Sequence, residues 1–448
     1  MGALIYPTSR LVGKDRVTIE RGEGVYVYDG DGRRYLEGMA GLWCTALGYA
    51  NNELIEVAER QLRDLSYSHM FGGKSHAVGV ELAERLAETV PVENAKVFFG
   101  CSGSDANDTQ IKLLRYYFNA IGQPQKRKII TRERAYHGVT VAAGALTSLP
   151  VNLEGFDPPV DALGILRTDH PHYYRGGLDG ESENEFVERI CSNLERQIIA
   201  EGPETIAAFL AEPITGASGV IVPPSAYYEK VQSILERYGI LFWADEVITA
   251  FGRTGSDFGC TTMSIDRPDM MSLAKQLTSA YFPLSAAIVS GKLYESIVLK
   301  SESVGLFGHG YTYSGHPVGC AIALKALEIY NRPGFYDAVS DRGRYLQTRL
   351  DTLENHPLVG EVRGAGLLAG VELVADKASG AAFPDGSVGA SFALRCEELG
   401  LIVRAVAGNT IALCPPLIIT HDQIDEMVDI LGRALDMTLA SLSPAEKH

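Results

Sequence analysis

Short apolar runs recur through the middle of the chain, separated by longer amphipathic segments. Lys96 to Phe99, Lys128 to Thr131, Ile206 to Ala211, Leu241 to Val247, Met270 up to Lys275, and Ser285 to Ser290 are such runs, most of them followed by polar or glycine-containing sequence. That pattern predicts strands buried on both faces of a parallel sheet. Ser225 to Tyr238 places Tyr227, Val231, Ile234, Leu235 and Tyr238 near one helical face and leads straight into Leu241 to Val247. Strand, helix and strand at this spacing form a βαβ unit. Further helices are predicted over Asn51 to Leu65, Ser75 to Val90, the stretch from the loop after Gly100 through Tyr117, Val318 to Tyr330, Asp337 to Glu354 and Val388 to Leu399. A last one starts at Thr420, with Gln423 completing a capping box and Ile424, Met427, Val428, Leu431 and Leu435 as its apolar stripe. Val17 to Leu36 alternates between glycines and reads as an antiparallel hairpin unit. Leu401 to Ala405 and Thr410 to Leu417 read as strands, and Leu149 to Glu183, rich in Pro, Gly, His and Asp, as an irregular surface excursion.

The 448 residues set a prior of two or three domains and allow a large core. Forty basic against 56 acidic side chains give a net charge of −16, which argues against nucleic acid or an anionic membrane as the main partner. The opening MGALIYPTSR has neither the basic nor the long apolar region of a signal peptide, and Tyr6 stands where a myristoylation signal wants Ser or Thr. No stretch has the length of a transmembrane helix. Seven scattered cysteines without CxxC predict a reduced, cytoplasmic protein with no disulfide framework, and neither they nor the histidines show the spacing of a metal site.

The chemistry gathers at two strand ends. Leu241 to Val247 ends on Asp245 and Glu246, and the run from Met270 ends on Lys275. Ligands of open α/β sheets bind beyond the carboxyl ends of the strands. An amine and an acid delivered there suit pyridoxal phosphate, which needs a lysine for its Schiff base and an acid at its pyridinium nitrogen. A lysine after a strand is more often a solvated loop residue, and an Asp-Glu pair more often starts a turn, so the weight falls on the other parts. GCSGSDANDT, Gly100 to Thr109, lies between a strand and a helix and can cradle an anion on backbone N–H groups. Such charge-assisted bonds contribute about 1.5–3 kcal/mol each. The same loop also reads as a capping turn, with Ser104 as the cap. Tyr136, in Ala135-Tyr-His-Gly138, can lie flat on a planar ring. GHGYTYSGHP, Gly308 to Pro317, is a second candidate anion loop. Trp43, among small residues between Gly38 and Tyr49, is either presented from a loop or a core tryptophan. Ser66 to Gly73 is an aromatic-bearing loop that carries Phe71. Gly364 to Gly370 is rejected as a dinucleotide fingerprint because its spacing is one residue too long and it runs into a strand-like stretch.

With these residues together, the chain resembles the class III, or ω-, aminotransferases from about Gly22 to Leu435, and within them the amine–pyruvate type, on GLWC and the arginine of LIVRA. The resemblance implies an α/β protein of the pyridoxal-phosphate-dependent transferase fold type I. A large cofactor-binding domain (61–330) would hold a mainly parallel central sheet, and both chain ends (1–60 and 331–448) would build a smaller α+β domain. It implies that Lys275 is the Schiff-base lysine, Asp245 the acid on the pyridine nitrogen and Val247 the residue under the ring. Tyr136 would stack on the ring with His137 beside it, Gly103 and Ser104 would cradle the phosphate, and Glu212 would lie near the cofactor. Tyr311 and Thr312 would reach the phosphate of a partner subunit, which implies a homodimer with shared sites. Trp43, Phe71, Tyr136 and Arg404 would form the substrate pocket, Arg404 gripping a carboxylate. The implied reaction is ping-pong transfer of an amino group from a primary amine or ω-amino compound to a keto acid, pyruvate above others. Cys101, Asp105 and Gln276 depart from the family's commoner residues. The alternatives are a decarboxylase, racemase or aminomutase on the same fold, or a non-catalytic binding protein.

Overall fold

The computed structural model describes residues 4–8 and 17–442, so the amino-terminal stretch read for targeting signals lies partly outside the described residues. Three strands open the chain, β1 (Ile19–Glu23), β2 (Tyr26–Asp29) and β3 (Arg34–Glu37), each antiparallel to the next. The central sheet follows: β4 (Lys96–Gly100), β5 (Lys128–Arg132), β6 (Ile165–Thr168), β7 (Ile206–Ala211), β8 (Leu241–Asp245), β9 (Met270–Leu273) and β10 (Ser285–Val289). Their order is β4-β10-β9-β8-β7-β5-β6. Every pair is parallel except those made by β10, which runs against both β9 and β4. The physical reason lies in the connections. A parallel neighbour needs a crossover, usually a helix, and helices such as Tyr227–Tyr238 supply it. Between β9 and β10 there is only one short 3₁₀ turn, Lys275–Thr278, so the chain doubles back.

The sheet is buried on both faces. All six side chains of β7 are buried, and Trp243 of β8 is fully enclosed, its indole N–H donating to Ser272 Oγ at 2.9 Å. The helix Gly103–Ala120 packs across β9 and β10, and Gln110 Nε2 donates to the carbonyls of Met271 and Ile288, at 2.8 and 2.9 Å, staples that replace the water a buried amide would lose.

Beyond the sheet the chain builds β11 (Val359–Ala365), β12 (Leu368–Leu373), β13 (Leu401–Ile402), β14 (Arg404–Val406) and β15 (Thr410–Leu413). β11-β12-β15-β14 form an antiparallel sheet, while β13 pairs in parallel with β3, tying the two chain ends together. The stretch read as one strand, Leu401 to Ala405, is therefore two: the chain leaves one sheet at Val403 and joins another. The final helix, His421–Ser441, has the Thr420–Gln423 capping box and buries the five stripe residues.

Three further expectations change. Leu149 to Glu183 is not wholly irregular. It holds β6, four residues at the sheet edge whose flanks of Pro, Gly and His mask so short a run. The cap of the helix after β4 is Ser102, not Ser104: Ser102 Oγ accepts from the Asp105 N–H at 3.2 Å and Asp105 returns the bond. Gly38 to Tyr49 is a compact turn with Ala40, Gly41 and Trp43 at φ of 46°, 66° and 65°, and Trp43 is buried in the core.

Candidate active site

A cavity of about 400 Å³ opens at the carboxyl ends of β4, β5, β7, β8 and β9. Because β10 runs the other way, its entry segment, Phe282 to Leu284, closes the same edge. Of the residues expected at a site, the structure brings together Gly103, Ser104, Tyr136, His137, Glu212, Asp245, Val247 and Lys275.

Asp245 lies at the buried floor. Its Oδ2 accepts from His137 Nδ1 at 2.7 Å and from Asn107 Nδ2 at 3.1 Å, and its Oδ1 accepts from the Val247 N–H at 3.1 Å. Burial pushes this carboxyl up, but the bonds from His137, Asn107 and Val247 outweigh it and hold it below its ordinary range. The floor is thus anionic. Its neighbour in sequence has a different fate. Glu246 turns away and accepts from Thr249 Oγ1 and the N–H groups of Gly259 and Cys260, so it fastens the following loop.

Lys275 sits just past β9 with φ +46°, a conformation unusual for a residue with a side chain. Its Nζ has no hydrogen bond or ion pair among the described residues. Burial pulls its pKa below the ordinary 10.5, with the Asp245 charge working against that. Glu212 accepts from the N–H groups of Tyr136 at 3.2 Å and Gly216 at 2.9 Å, and burial raises its pKa. Gln276, one of the departures, stays out of the lining: its Nε2 donates to the Ile248 carbonyl at 2.6 Å and its own carbonyl accepts from Tyr330 Oη at 2.7 Å. Asp105 caps the helix, taking the N–H groups of Cys101 and Ser102, and Cys101 lines the cavity.

The lining fits pyridoxal phosphate. An ionised carboxylate suits a pyridinium nitrogen and an unpaired amine suits an aldehyde. The first-turn N–H groups of Gly103 and Ser104 have no acceptor within their helix. A Cβ on Gly103 would come within 3.1 Å of both Val247 methyls, so only glycine lets the anion cradle and the Val247 wall approach this closely. Asn107 Oδ1 and His137 Nε2 are buried without partners, a mark of a site built around something else.

Five expected residues stand elsewhere. Trp43 is buried behind the cavity, whose wall takes its neighbours Leu42 and Cys44. Arg404 is half-buried on β14. Its charge acts on Tyr136, and its guanidinium has no hydrogen bond or ion pair among the described residues. Phe71 lines a second cavity of about 700 Å³, with Phe98 and His309. Tyr311 packs on its own chain's helix, its hydroxyl 3.0 Å from Thr109 Oγ1 and donating to the Asp105 carbonyl at 3.1 Å, while Thr312 is exposed. Sequence reasoning missed Asn107. The available signal was an amide at an apolar-stripe position, four residues after Gly103 and in phase with Ile111 and Leu114.

The model of the family described as Aminotransferase class-III matches residues 9–435. Gamma-aminobutyrate transaminase 1, mitochondrial, from Oryza sativa subsp. japonica is 48% identical over 424 residues, covering 94% of this chain and 81% of that protein. Among solved structures, the omega transaminase from Pseudomonas jessenii in complex with PMP superposes with a TM-score of 0.94 at 47% identity, over 98% of this chain and 96% of that one. A structure titled as a transaminase with L-ala does so with a TM-score of 0.93 at 49% identity, over 95% and 100%. A lysine and an ionised aspartate at neighbouring strand ends, beside a glycine-serine anion cradle, are what such enzymes require, and the chain belongs to the class-III aminotransferases, pyridoxal-phosphate enzymes that transfer an amino group to a keto acid.

Proposed function

We propose that the enzyme moves the amino group of ω-amino compounds, γ-aminobutyrate among them, to pyruvate, at sites completed by a second copy of the chain. The observation that carries this reading is Arg404, a half-buried guanidinium whose charge acts on Tyr136 and which has no hydrogen bond or ion pair among the described residues. It suits one carboxylate. Among the described residues Lys275 is the only Lys or Arg lining the cavity, so a keto acid with one carboxylate is favoured over a dicarboxylate. The donor follows from the relatives named for γ-aminobutyrate, and the acceptor from the neighbour holding L-alanine, the amination product of pyruvate.

Bound in the cavity, pyridoxal phosphate supplies the electron sink that lets the carbon bearing the amino group release a proton. Lys275 Nζ would take that proton and pass it on to the bound cofactor within one half-reaction, and carry a proton the opposite way in the other. Its lowered pKa leaves more of it neutral near pH 7 than an ordinary lysine, the form a base needs. Asp245 stays ionised and holds a proton on the group it faces. Gly103 and Ser104 would offer N–H groups to the phosphate and Tyr136 and Val247 would flank the ring, while Glu212 fixes the Tyr136 backbone. The exposed Thr312, with Tyr313 and Leu306 at 61% and 72% exposure, supports a homodimer in which this loop serves the partner's site. All seven cysteines are unpaired, which supports a reducing compartment such as the cytoplasm.

The test is visible absorbance of the purified holoenzyme. γ-Aminobutyrate alone is expected to bleach the cofactor band and pyruvate to restore it; a band unmoved by either overturns the reading. Arg404→Ala is expected to raise the KM for pyruvate by about 10- to 100-fold, the worth of a hydrogen bond to a charged group, while simple amines are little affected. Equal losses for both would make Arg404 structural.

A further inference from the structure

Asp245 has three donors, and only two of them are secured by its immediate surroundings. The Val247 N–H belongs to the same turn, and His137 is fixed by its own N–H donating to Thr147 Oγ1 at 2.9 Å. The third donor, Asn107, comes from a different element, the helix Gly103–Ala120, whose first turn is the anion cradle. Its Nδ2 divides between two acceptors, the His137 carbonyl at 2.7 Å and Asp245 Oδ2 at 3.1 Å. The residue is 1% exposed, borders the cavity and leaves Oδ1 unpartnered. One amide therefore ties the cradle helix, the loop after β5 and the end of β8 to one another.

We propose that Asn107 is a positioning residue for transamination: through one amide nitrogen it orients the Asp245 carboxylate and the His137 backbone together, and so keeps the cavity floor anionic with its lone pairs aimed at the bound cofactor. This inference rests on the role given above to Asp245. Among the described residues nothing else is placed to substitute. The other titratable groups near Asp245 are His137 and Tyr136 from the loop after β5, Glu212 from the end of β7 and Lys275 from the turn after β9. His137 Nδ1 is already committed to Asp245, Glu212 is a carboxylate that would repel it, and Lys275 is needed for the chemistry.

Two substitutions separate this from a packing role. Asn107→Leu keeps the volume and removes the donor. The loaded enzyme is expected to lose about 10- to 100-fold in kcat, and the pH midpoint of its bound cofactor's visible band to shift away from the wild-type value, because a less well-held carboxylate favours the ring proton less. Asn107→Asp keeps the shape and sets a second carboxyl about 3 Å from Asp245, where both cannot ionise. A shared proton restores the donor at low pH, so activity is expected to recover on the acid side and to fall with rising pH at a point where the wild type is flat. A structural role predicts lower thermal stability with unchanged pH midpoints. Wild-type pH midpoints for both the band and kcat overturn the proposal, and if Asn107→Leu does not fold, Asn107→Asp decides alone. Asp245→Asn serves as the control. If it retains full activity, the role of Asp245 fails and this inference with it; if it loses activity while both Asn107 variants behave as wild type, only the inference fails.

Discussion

Lys275, Asp245 and Glu212 stand at the ends of three neighbouring strands, whereas Phe71, Tyr311 and Thr312 stand on loops outside the sheet. The first set is buried or half-buried, with its acids already hydrogen-bonded. The second is half-exposed or exposed and lines no part of the cavity at the strand ends. Strand ends of a packed sheet are held on both sides by backbone ladders, so they place side chains with little freedom. Loops beyond the sheet gain that precision only when something packs on them. On the proposed reading the proton chemistry is complete within one chain, and a second copy would complete the outer part of the site.

The largest expected effect breaks the first set. Lys275→Ala should lower turnover by at least about a thousandfold, since proton transfer alone contributes roughly 10²- to 10⁴-fold. Ordinary steady-state turnover in that variant would remove the basis for the assignment. Next comes a contrast inside the strand end itself. Asp245→Asn should keep the fold and lose about 100-fold in kcat, the scale of one electrostatic contact. Glu246→Gln should do the reverse. Its carboxylate accepts from Thr249, Gly259 and Cys260 away from the cavity, so stability falls by about 1–3 kcal/mol while kcat stays within a few-fold. Thermal melts and kcat for the two variants, measured side by side, check this; matching behaviour would mean that the two carboxylates are not divided as their bonds indicate.

The second set is tested by Thr312→Ala. Losing one hydroxyl contact should weaken cofactor retention on dialysis by about 10-fold and leave kcat at saturating cofactor near wild type. Sedimentation of the wild type should show a dimer, and the Thr312→Ala defect should be rescued in mixed dimers only at one of the two sites. A monomer that holds cofactor normally would confine the whole site to one chain.

Much of this contrast was legible in the sequence, because apolar runs ending on Asp245 and Lys275 identify buried strands and the edge at which they stop. Helix stripes and the final capping box were equally plain, being set by local periodicity. The rest depended on tertiary neighbours. Four residues of β6 carry too little pattern to outweigh their flanks. Ser102 and Ser104 are equally good caps, and Asp105 decides between them by returning a bond. The change of sheet at Val403 depends on β3, hundreds of residues earlier. Asn107 was passed over because a buried amide on a helix stripe shows its purpose only when Asp245 and His137 are seen across from it.

The expected effect furthest from the chemistry sits where the two regions meet. The turn after β3 carries Leu42, 56% exposed at the rim, and Cys44 on the cavity wall. Glu37 holds it: the buried carboxyl accepts from the Met39 N–H at 3.0 Å and from Tyr49 Oη at 3.4 Å. Burial pushes this carboxyl up from 4.5 to about 7, against the pull of those bonds. A folded-state pKa above the unfolded one means that the folded state favours the protonated form. The group's contribution is then fully present below about pH 4.5 and is lost as pH rises through about 7. The span corresponds to about 3 kcal/mol. Glu37→Gln is neutral throughout and keeps an acceptor for Met39. Its melting temperature should therefore lie at or below that of the wild type at the acid end, gain on it steadily across this window, and exceed it on the alkaline side. A difference that stays constant with pH would mean that Glu37 is ionised in the folded protein, and that the turn bearing Leu42 and Cys44 is held by a charge instead of a neutral acid.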